Sequence, residues 1–306
     1  MSDRTAGPRV AGVWTAGAAV LSVALWASTF TLFTIAFRRL DPLAFTGARY
    51  LLLTTLAVGY LIWWGRGRRR SSRRDLRLAA VAGFFGYFML EFLFVLGLER
   101  TTVVASAILI ATHPIWGVTF ASLASRTRPT RRGLAGLAIG MAGVIVFVGS
   151  SGVDEVRAGD LLSLGAAIAF GIYGAIVDRL GGRMPQGEMV ATSMATGGAV
   201  LIAVSIPAML TQDWSAAVPG DWAVIVYSAL GPVLLGFALW AWALKRRGMA
   251  RTAPFGYLEP IFATLLAFVV LGEWLTAPQL LGGALVLAGV VLAVGPRAEP
   301  EVPPPL

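Results

Sequence analysis

Cysteine is absent from all 306 residues, and the chain contains a single histidine, His113. Without thiols there are no disulfide bonds, thiolate metal sites or cysteine nucleophiles, and one histidine is too few for a histidine-based metal site. Asparagine is missing as well, so the chain has no sequon for N-glycosylation. We therefore expect no bound metal and no cofactor.

Charged residues are also scarce, at 13%, whereas hydrophobic residues make up 57% and the mean hydropathy is +0.75. Soluble domains average about 25% charged and roughly 45–50% apolar residues, so the composition is typical of a membrane protein. At about 20 residues per crossing, ten crossings would use nearly the whole chain. The net charge of +9 does not indicate nucleic-acid binding, because the basic residues lie in loops between apolar runs.

Ten apolar segments are long enough to span a bilayer as helices. Glu99 to Thr101, the shortest junction between them, predicts a tight helical hairpin. The first apolar run is too long for a cleaved signal peptide, and the proline-rich tail, residues 296–306, is predicted to be disordered. The predicted spans are residues 12–36, 43–64, 76–98, 102–124, 133–150, 159–178, 189–210, 222–244, 252–271 and 278–295.

The distribution of positive charge predicts the orientation of these helices, because cytoplasmic loops retain Lys and Arg. With the N-terminus inside, 20 of the 25 basic residues fall on the cytoplasmic side and 4 on the other, and Arg49 lies within a span. We therefore predict a multi-pass protein of the bacterial inner membrane with both termini in the cytoplasm. The arginine run from Arg66 to Arg77 is interpreted as a topology signal, with binding of anionic lipid heads as the alternative.

The second half of the chain repeats the first at an offset of 146 residues. In this register Pro114 matches Pro260, and three glycines match glycines in the second half. Residues 1–150 and 151–295 are therefore predicted to be two related five-helix units. Because five is odd, the second unit must enter the membrane in the opposite sense, and inverted repeats of this kind characterise many secondary transporters.

The closing part of each unit resembles a known family. The stretch from Tyr257 to Gly289, which contains Glu273, is similar to the closing signature of EamA-type carriers in the drug/metabolite transporter superfamily. The stretch from His113 to Gly149 resembles the matching region of the first EamA domain, although Thr127 stands at the register position of Glu273. The resemblance implies a central cavity lined by helices 1, 3, 4, 6, 8 and 9, peripheral helices 5 and 10, and export of amino acids or metabolites.

Four ionisable side chains fall inside the predicted spans, where such groups usually face a partner or a water-filled cavity. They are Arg49, Glu91, His113 and Glu259. Arg49 and Glu91 are both expected about 10 Å below the external surface, at roughly 1.5 Å per residue, so they are predicted to meet as an ion pair. Two interpretations stay open: a structural clamp between helices two and three, or a site for the charged ends of a zwitterionic substrate.

His113 and Glu259 occupy matching positions, each directly before a proline, Pro114 or Pro260. Proline removes a backbone hydrogen bond and disfavours helix at the preceding residue, so both sites are predicted hinges where the helix kinks or unwinds, with a simple packing kink as the alternative. A buried, unpaired carboxylate tends to take up a proton. Proton-linked exchange through Glu259, with His113, is therefore our mechanistic hypothesis, and a satisfied buried histidine is the alternative for His113.

Aromatic residues complete the predicted substrate site. Most tryptophans fall near predicted helix ends, as interfacial anchors do, whereas Trp26 and Trp116 lie near mid-span. Phe84 and Tyr87 share a predicted helix face with Glu91. Seven aromatic residues are thus assigned to the site together with the four ionisable ones: Trp26, Phe84, Tyr87, Trp116, Tyr173, Trp240 and Tyr257.

Two structural details are also predicted. Glycines at 133, 136, 140 and 143 form a stripe on helix five, echoed by Gly282 and Gly289, and predict close helix packing within the monomer. Glu273 is predicted just outside helix nine, as a loop or capping residue.

Together these features predict a transporter that exports amino acids or related small metabolites by alternating access, with membrane lipid and protons as its other partners. An exporter of organic cations is the first alternative, since aromatic faces attract cations. Arg49 facing the cavity would disfavour it, whereas Arg49 paired with Glu91 would permit it. A passive facilitator is a further alternative. A membrane-embedded enzyme is least favoured, because the chain has neither a metal site nor an aspartate pair at mid-span.

Overall fold

The structure is a computed structural model, and it describes residues 8–66, 71–125, 131–150, 154–180, 183–247, 255–256 and 258–294. These residues form helices joined by short turns, and none of them belongs to a β-strand. The predicted disordered tail, Thr127, Tyr257 and the part of the arginine run at residues 67–70 lie outside the described residues.

The helices are numbered α1 to α10 in chain order. Three of them have internal interruptions: α3 and α8 each contain a π-helical turn, and α4 is divided in two. The uninterrupted helices are α1 (Pro8–Ala36), α2 (Pro42–Trp64), α5 (Arg131–Gly149), α6 (Asp154–Leu180), α7 (Gln186–Thr211), α9 (Glu259–Leu271) and α10 (Ala277–Val294). The parts of α3 are Arg73–Gly83, the π turn Phe84–Met89 and Leu90–Arg100; those of α4 are Val103–Ile110 and His113–Ser125; those of α8 are Pro219–Ser228, the π turn Ala229–Gly236 and Phe237–Arg247.

Within the described residues, seven helices are long and apolar enough to cross a membrane, namely α1 to α4 and α6 to α8. Two more, α9 and α10, are apolar but shorter. The prediction of an all-helical integral membrane protein is therefore confirmed. The total of ten crossings and the cytoplasmic position of both termini stay predictions.

Several helices begin where the sequence supplies a cap. The Asp41 side chain accepts hydrogen bonds from the backbone N–H groups of Leu43 and Ala44 at the start of α2. Ser72 caps α3 in the same way, and Thr102 caps α4 directly after the tight turn that follows Arg100. These side chains satisfy N–H groups that have no partner within the helix.

The helix boundaries recur at the offset of 146 residues found in the sequence. His113–Ser125 corresponds to Glu259–Leu271, and the π turn Phe84–Met89 corresponds to Ala229–Gly236. The packing follows the same relation: α1 packs on α8 and α9, α6 packs on α3 and α4, α2 packs on α7, and α5 packs on α10. Each of these helices thus finds its main neighbours in the other half of the chain.

The contact between α5 and α10 is close enough to bring their backbones together. A methyl group added to Gly143 would lie 2.6 Å from the backbone nitrogen of Val286 and 2.7 Å from the carbonyl oxygen of Gly282. One added to Gly282 would lie 2.8 Å from the backbone nitrogen of Phe147. The predicted packing of these glycines within one chain is therefore confirmed.

The largest buried cluster includes the C-terminal parts of α1 and α3, together with residues of α4, α5, α9 and α10. The rings of Phe30 and Phe94 pack edge to face with centroids 5.1 Å apart, and Leu40 and Leu98 are buried in the same cluster. Phe30 and Phe94 both lie in the last two turns of their helices. Because matching ends are in contact, α1 and α3 run in the same direction.

Helix α7 connects the two ends of the bundle. In its first turn Glu188 accepts a hydrogen bond from the hydroxyl of Ser71, just ahead of α3, at 2.6 Å. Directly after its last turn, Gln212 accepts one from the backbone N–H of Asp41, just ahead of α2, at 2.7 Å. We call these regions the Glu188 end and the Gln212 end. The 26 residues of α7 separate them by about 39 Å, at roughly 1.5 Å per residue.

Candidate functional site

An ion pair joins α2 to α3 inside the bundle. Arg49 Nη2 lies 2.7 Å from Glu91 Oε1, so the predicted pair is present. The rings of Phe33 and Tyr50 lie 4.9 and 5.1 Å from the guanidinium carbon and stabilise the cation. The Arg49 side chain is 3% exposed and that of Glu91 is 16% exposed. Arg49 is therefore the enclosed partner and Glu91 the more accessible one.

The pair keeps unused hydrogen-bonding capacity. Glu91 Oε2 and Arg49 Nε are buried and have no hydrogen-bond partner among the described residues. Buried polar atoms normally have at least one such partner. Because the pair is neutral overall, a ligand with one positive and one negative group can exchange partners with it and leave the net charge of the site unchanged.

The π turn in α3 alters the helix face that carries Glu91. Residues seven apart share a face of an α-helix, but each turn of a π-helix holds more residues. Residues on either side of a π turn that are seven apart therefore do not share one face. Phe84, at the start of this turn, is 41% exposed and packs on Phe85 and Phe88 at centroid distances of 5.4 and 5.1 Å. The structure therefore places Phe84 with these rings.

A row of four rings crosses α3, α6 and α4. Tyr87 meets Tyr173 edge to face at 5.8 Å, and Tyr173 stacks on Phe170 at 5.7 Å. Phe170 in turn contacts the ring of His113 at 4.7 Å. We call these four residues the aromatic row. Phe170 was not predicted, although its spacing of three residues from Tyr173 puts both on one helix face.

A second aromatic group joins α1 to α8. The ring of Trp26 lies 5.0 Å from that of Phe237 and 5.4 Å from that of Trp240, and its indole N–H donates to the carbonyl oxygen of Pro232 at 2.9 Å. We call Trp26, Phe237 and Trp240 the tryptophan cluster. Phe237 was not predicted, although it occupies the register position of Glu91 in the other half.

The tryptophan cluster and the ion pair lie at one level of the bundle. Trp26 comes one turn before Phe30 on α1, and Glu91 comes one turn before Phe94 on α3. Since Phe30 contacts Phe94 and the helices run in the same direction, Trp26 and Glu91 lie at the same height on neighbouring helices. The Arg49–Glu91 ion pair and the tryptophan cluster therefore lie at the same depth in the bundle.

The predicted interruption of α4 is present. The helix stops at Ile110 and starts again at His113, with Pro114 in its first turn, where a missing backbone N–H costs nothing. In the other half α9 starts at Glu259, with Pro260 likewise in its first turn. Glu259 has no ion pair or side-chain hydrogen bond to any described residue.

Trp116 lies where α4 crosses α6. Its indole N–H donates to Thr112 Oγ1 at 3.2 Å, across the interruption of α4. A methyl group added to Gly171 on α6 would lie 2.8 Å from the backbone nitrogen of Gly117, so the helices touch here. The structure therefore places Trp116 at a helix contact.

Glu273 links the end of α9 to the start of α4. Its two carboxylate oxygens accept hydrogen bonds from the backbone N–H groups of Val103 and Val104, each at 3.1 Å. A carboxylate at a helix N-terminus is also stabilised by the helix dipole. The predicted capping role is confirmed, and the helix that Glu273 caps belongs to the other half of the chain.

Comparison with known proteins gives matches along the whole chain. The EamA-like transporter family matches residues 13–149 and 157–295. A probable terminal-alkyne amino-acid exporter of Streptantibioticus cattleyicolor is 31% identical over 95% of this chain and 97% of its own. A probable amino-acid metabolite efflux pump of Salmonella typhimurium is 23% identical, over 90% and 93% of the two chains. An uncharacterized inner membrane transporter of Escherichia coli (strain K12) is 26% identical, over 91% and 90%.

Among solved structures, a crystal structure of a protein is also similar. It has a TM-score of 0.60 and 21% sequence identity, and the match covers 92% of this chain and 96% of the other. At this identity the likeness concerns the fold alone.

Proposed function

Because this chain belongs to the EamA-like transporter family and is a multi-pass inner-membrane transporter, we propose that it exports amino acids or closely related small metabolites. Two relatives that match most of the chain are named for amino-acid or amino-acid metabolite export. The observation that carries the proposal is the enclosed, neutral Arg49–Glu91 pair, which has unused hydrogen-bonding atoms.

A zwitterionic amino acid matches this pair in charge. Its carboxylate suits the guanidinium of Arg49, and its ammonium group suits the free oxygen of Glu91. The aromatic row and the tryptophan cluster supply apolar surface for the rest of the substrate. Of the other predicted site residues, Trp116, Phe84 and Tyr257 remain part of the proposal.

An exporter of organic cations is the second candidate, and one observation favours it. The Arg49 side chain is 3% exposed and that of Glu91 is 16% exposed, so the carboxylate is the more accessible charge for a cationic substrate. The two candidates differ in whether the substrate requires a carboxylate.

The transport cycle we propose is alternating access between two inverted halves, residues 1–150 and 151–295. The recurrence of helix boundaries at an offset of 146 and the packing between halves support this arrangement. Pro114 and Pro260 act as hinges, since each marks a helix start next to the site. Movement about these points would expose the site to one side at a time.

Proton coupling is assigned to Glu259, with His113. Glu259 has no partner among the described residues, and a carboxylate without one favours its protonated form in a membrane interior. Uptake and release of this proton on opposite sides would drive exchange. A passive facilitator would lack this step.

Counterflow in proteoliposomes tests the substrate class. Unlabelled amino acids should exchange with a labelled amino acid, whereas their methyl esters, which lack the carboxylate, and their N-acetyl forms, which lack the ammonium group, should not. Exchange of the methyl esters and of simple organic cations would favour the second candidate instead.

A pH gradient across the same vesicles tests the coupling. The parent chain should accumulate amino acid against its gradient, and Glu259→Gln should lose accumulation but retain counterflow. Glu99→Gln, at an exposed position, is the matched control. Accumulation by Glu259→Gln would refute the role of this carboxylate, and absence of accumulation in the parent chain would indicate a passive facilitator.

A further inference from the structure

Two more ion pairs connect the halves of the chain, one at each end of the bundle. At the Gln212 end, Arg39 Nε and Nη2 donate to the two carboxylate oxygens of Asp221 at 2.8 and 2.7 Å. At the Glu188 end, Arg183 Nη2 lies 2.9 Å from Asp75 Oδ1. The first pair is therefore bidentate, whereas the second is a single close contact.

The two pairs occupy equivalent places in the two halves. Asp75 and Asp221 are 146 residues apart, and each is the third residue of its helix, α3 or α8. Arg39 and Arg183 lie in the short loops that follow α1 and α6, the first helices of their halves. Each pair thus ties the loop after the first helix of one half to the third helix of the other. Because the halves are related by inversion, one pair falls at each end.

The surroundings of both pairs allow them to open. The aspartates are enclosed, with side chains 2% and 10% exposed, whereas Arg39 and Arg183 are 36% and 41% exposed. Asp221 also accepts a hydrogen bond from the backbone N–H of Val218, and Asp75 accepts one from the Ser72 hydroxyl. A released arginine passes into water, and the aspartate keeps a partner within its own helix cap.

We propose that the Arg39–Asp221 and Arg183–Asp75 pairs are latches that hold the two ends of the transporter closed in turn. This inference rests on the proposed function, since it assumes alternating access. Opening one end separates the third helix of one half from the loop of the other, which breaks the pair at that end and leaves the opposite pair intact.

A further hydrogen bond accompanies each latch. Ser71 binds Glu188 beside the Arg183–Asp75 pair, and Gln212 binds the Asp41 backbone beside the Arg39–Asp221 pair. These bonds also join the two halves, so each end closes through one ion pair and one further hydrogen bond. The bidentate Arg39–Asp221 latch is expected to be the stronger of the two.

The absence of cysteine makes the proposal directly testable, because single cysteines can report on each end. Leu40→Cys and Met184→Cys place a thiol directly after each latch arginine, at positions only 1% and 8% exposed. The rate of labelling by a maleimide then measures how often that end opens. Neither reporter needs a transported substrate.

Each latch is released by a substitution that retains the helix cap. Asp221→Asn should speed labelling at the Leu40→Cys reporter, by up to about fivefold for a partly exposed pair, without speeding it at Met184→Cys. Asp75→Asn should speed labelling at the Met184→Cys reporter, by a smaller factor, without speeding it at Leu40→Cys. Arg39→Gln should reproduce Asp221→Asn, and Arg39→Lys, which keeps the charge, should reduce the increase.

Matched controls are Arg38→Gln and Arg179→Gln, which remove exposed charges near each latch; neither residue has an ion pair within the described part of the chain. They should leave both labelling rates unchanged. A general loosening of the fold would raise the labelling rates of both reporters together in each aspartate variant. That result, or an unchanged labelling rate at both reporters, would overturn the proposal. Reciprocal labelling without amino-acid transport would retain the latches and refute the proposed substrate. Amino-acid transport without reciprocal labelling would support the proposed substrate and refute the latches.

Discussion

The ion pair inside the bundle and the two pairs at its ends each join an arginine to a carboxylate, but their arginines differ in access to water. Arg49 is enclosed by α2, α3 and two aromatic rings, whereas Arg39 and Arg183 lie at the surface. Removing one partner of a buried pair leaves an uncompensated charge, but water can replace a partner at the surface. Under the proposed function, the inner pair opens only to a ligand that brings both charges, whereas the exposed arginines of the outer pairs can pass into water.

The largest effect on stability is expected at the inner pair. Glu91→Gln leaves the Arg49 guanidinium buried without a counter-charge, so the free energy of unfolding should fall by about 3–5 kcal/mol. Thermal unfolding of the purified protein measures this loss. Glu99→Gln, whose carboxylate pairs with Arg100 at the surface, should change little. An equal loss of stability in Glu91→Gln and Glu99→Gln would contradict the difference drawn between buried and exposed ion pairs.

An intermediate effect is expected at Glu273, which binds backbone rather than a charge. Glu273→Ala removes the acceptor for two N–H groups at the start of α4 and should lower the free energy of unfolding by about 0.5–2 kcal/mol. Glu99→Ala, also an acid near the same end, serves as the control. Hydrogen exchange of the Val103 and Val104 amides should become faster in Glu273→Ala alone, and unchanged exchange would argue against the cap.

A smaller effect is expected at Trp26, whose indole N–H links α1 to the π turn of α8. Trp26→Phe loses this single hydrogen bond and should lower the free energy of unfolding by about 0.5–1.5 kcal/mol. Trp274→Phe is the matched control, because Trp274 is 77% exposed. A loss as large in the control would show that ring size, not the bond to Pro232, determines stability.

The smallest effect on stability is expected at the ends of the bundle. Arg39→Gln should leave the thermal unfolding of the protein close to that of the parent chain, because the lost arginine is exposed and Asp221 keeps the backbone N–H of Val218 as a hydrogen-bond donor. The hydrogen bond to Asp221 raises the pKa of Arg39 above its ordinary value, so Arg39 stays charged at any pH used for transport. A loss comparable to that in Glu91→Gln would mean that the end pairs are fixed parts of the structure.

Much of this architecture was predictable because its causes are local. Apolar runs predicted the membrane helices, and Pro114 predicted the interruption of α4, since proline acts on its own helix. The Arg49–Glu91 pair followed from depth alone, because two charges at one level inside an apolar bundle tend to find each other.

The remaining features depend on contacts between distant segments. The π turns occur where Gly86 lies against Tyr173 and Gly236 lies against Trp26. The ring of Phe84, in the first of these turns, packs on Phe85 and Phe88. A helix propensity does not reveal such contacts. The cap that Glu273 provides was predictable as a cap, but its partner helix was not, because that helix lies in the other half.

The central claim is that Arg49 and Glu91 bind a zwitterionic substrate, and one double variant tests it most directly. Arg49→Met with Glu91→Met removes both charges and keeps their approximate volume, a change that is often neutral for stability at buried ion pairs. Counterflow should be measured per amount of folded protein. We predict a thermal midpoint near that of the parent chain and no exchange of amino acids. A stable double variant that still exchanged them would contradict the claim and leave the pair as a structural clamp.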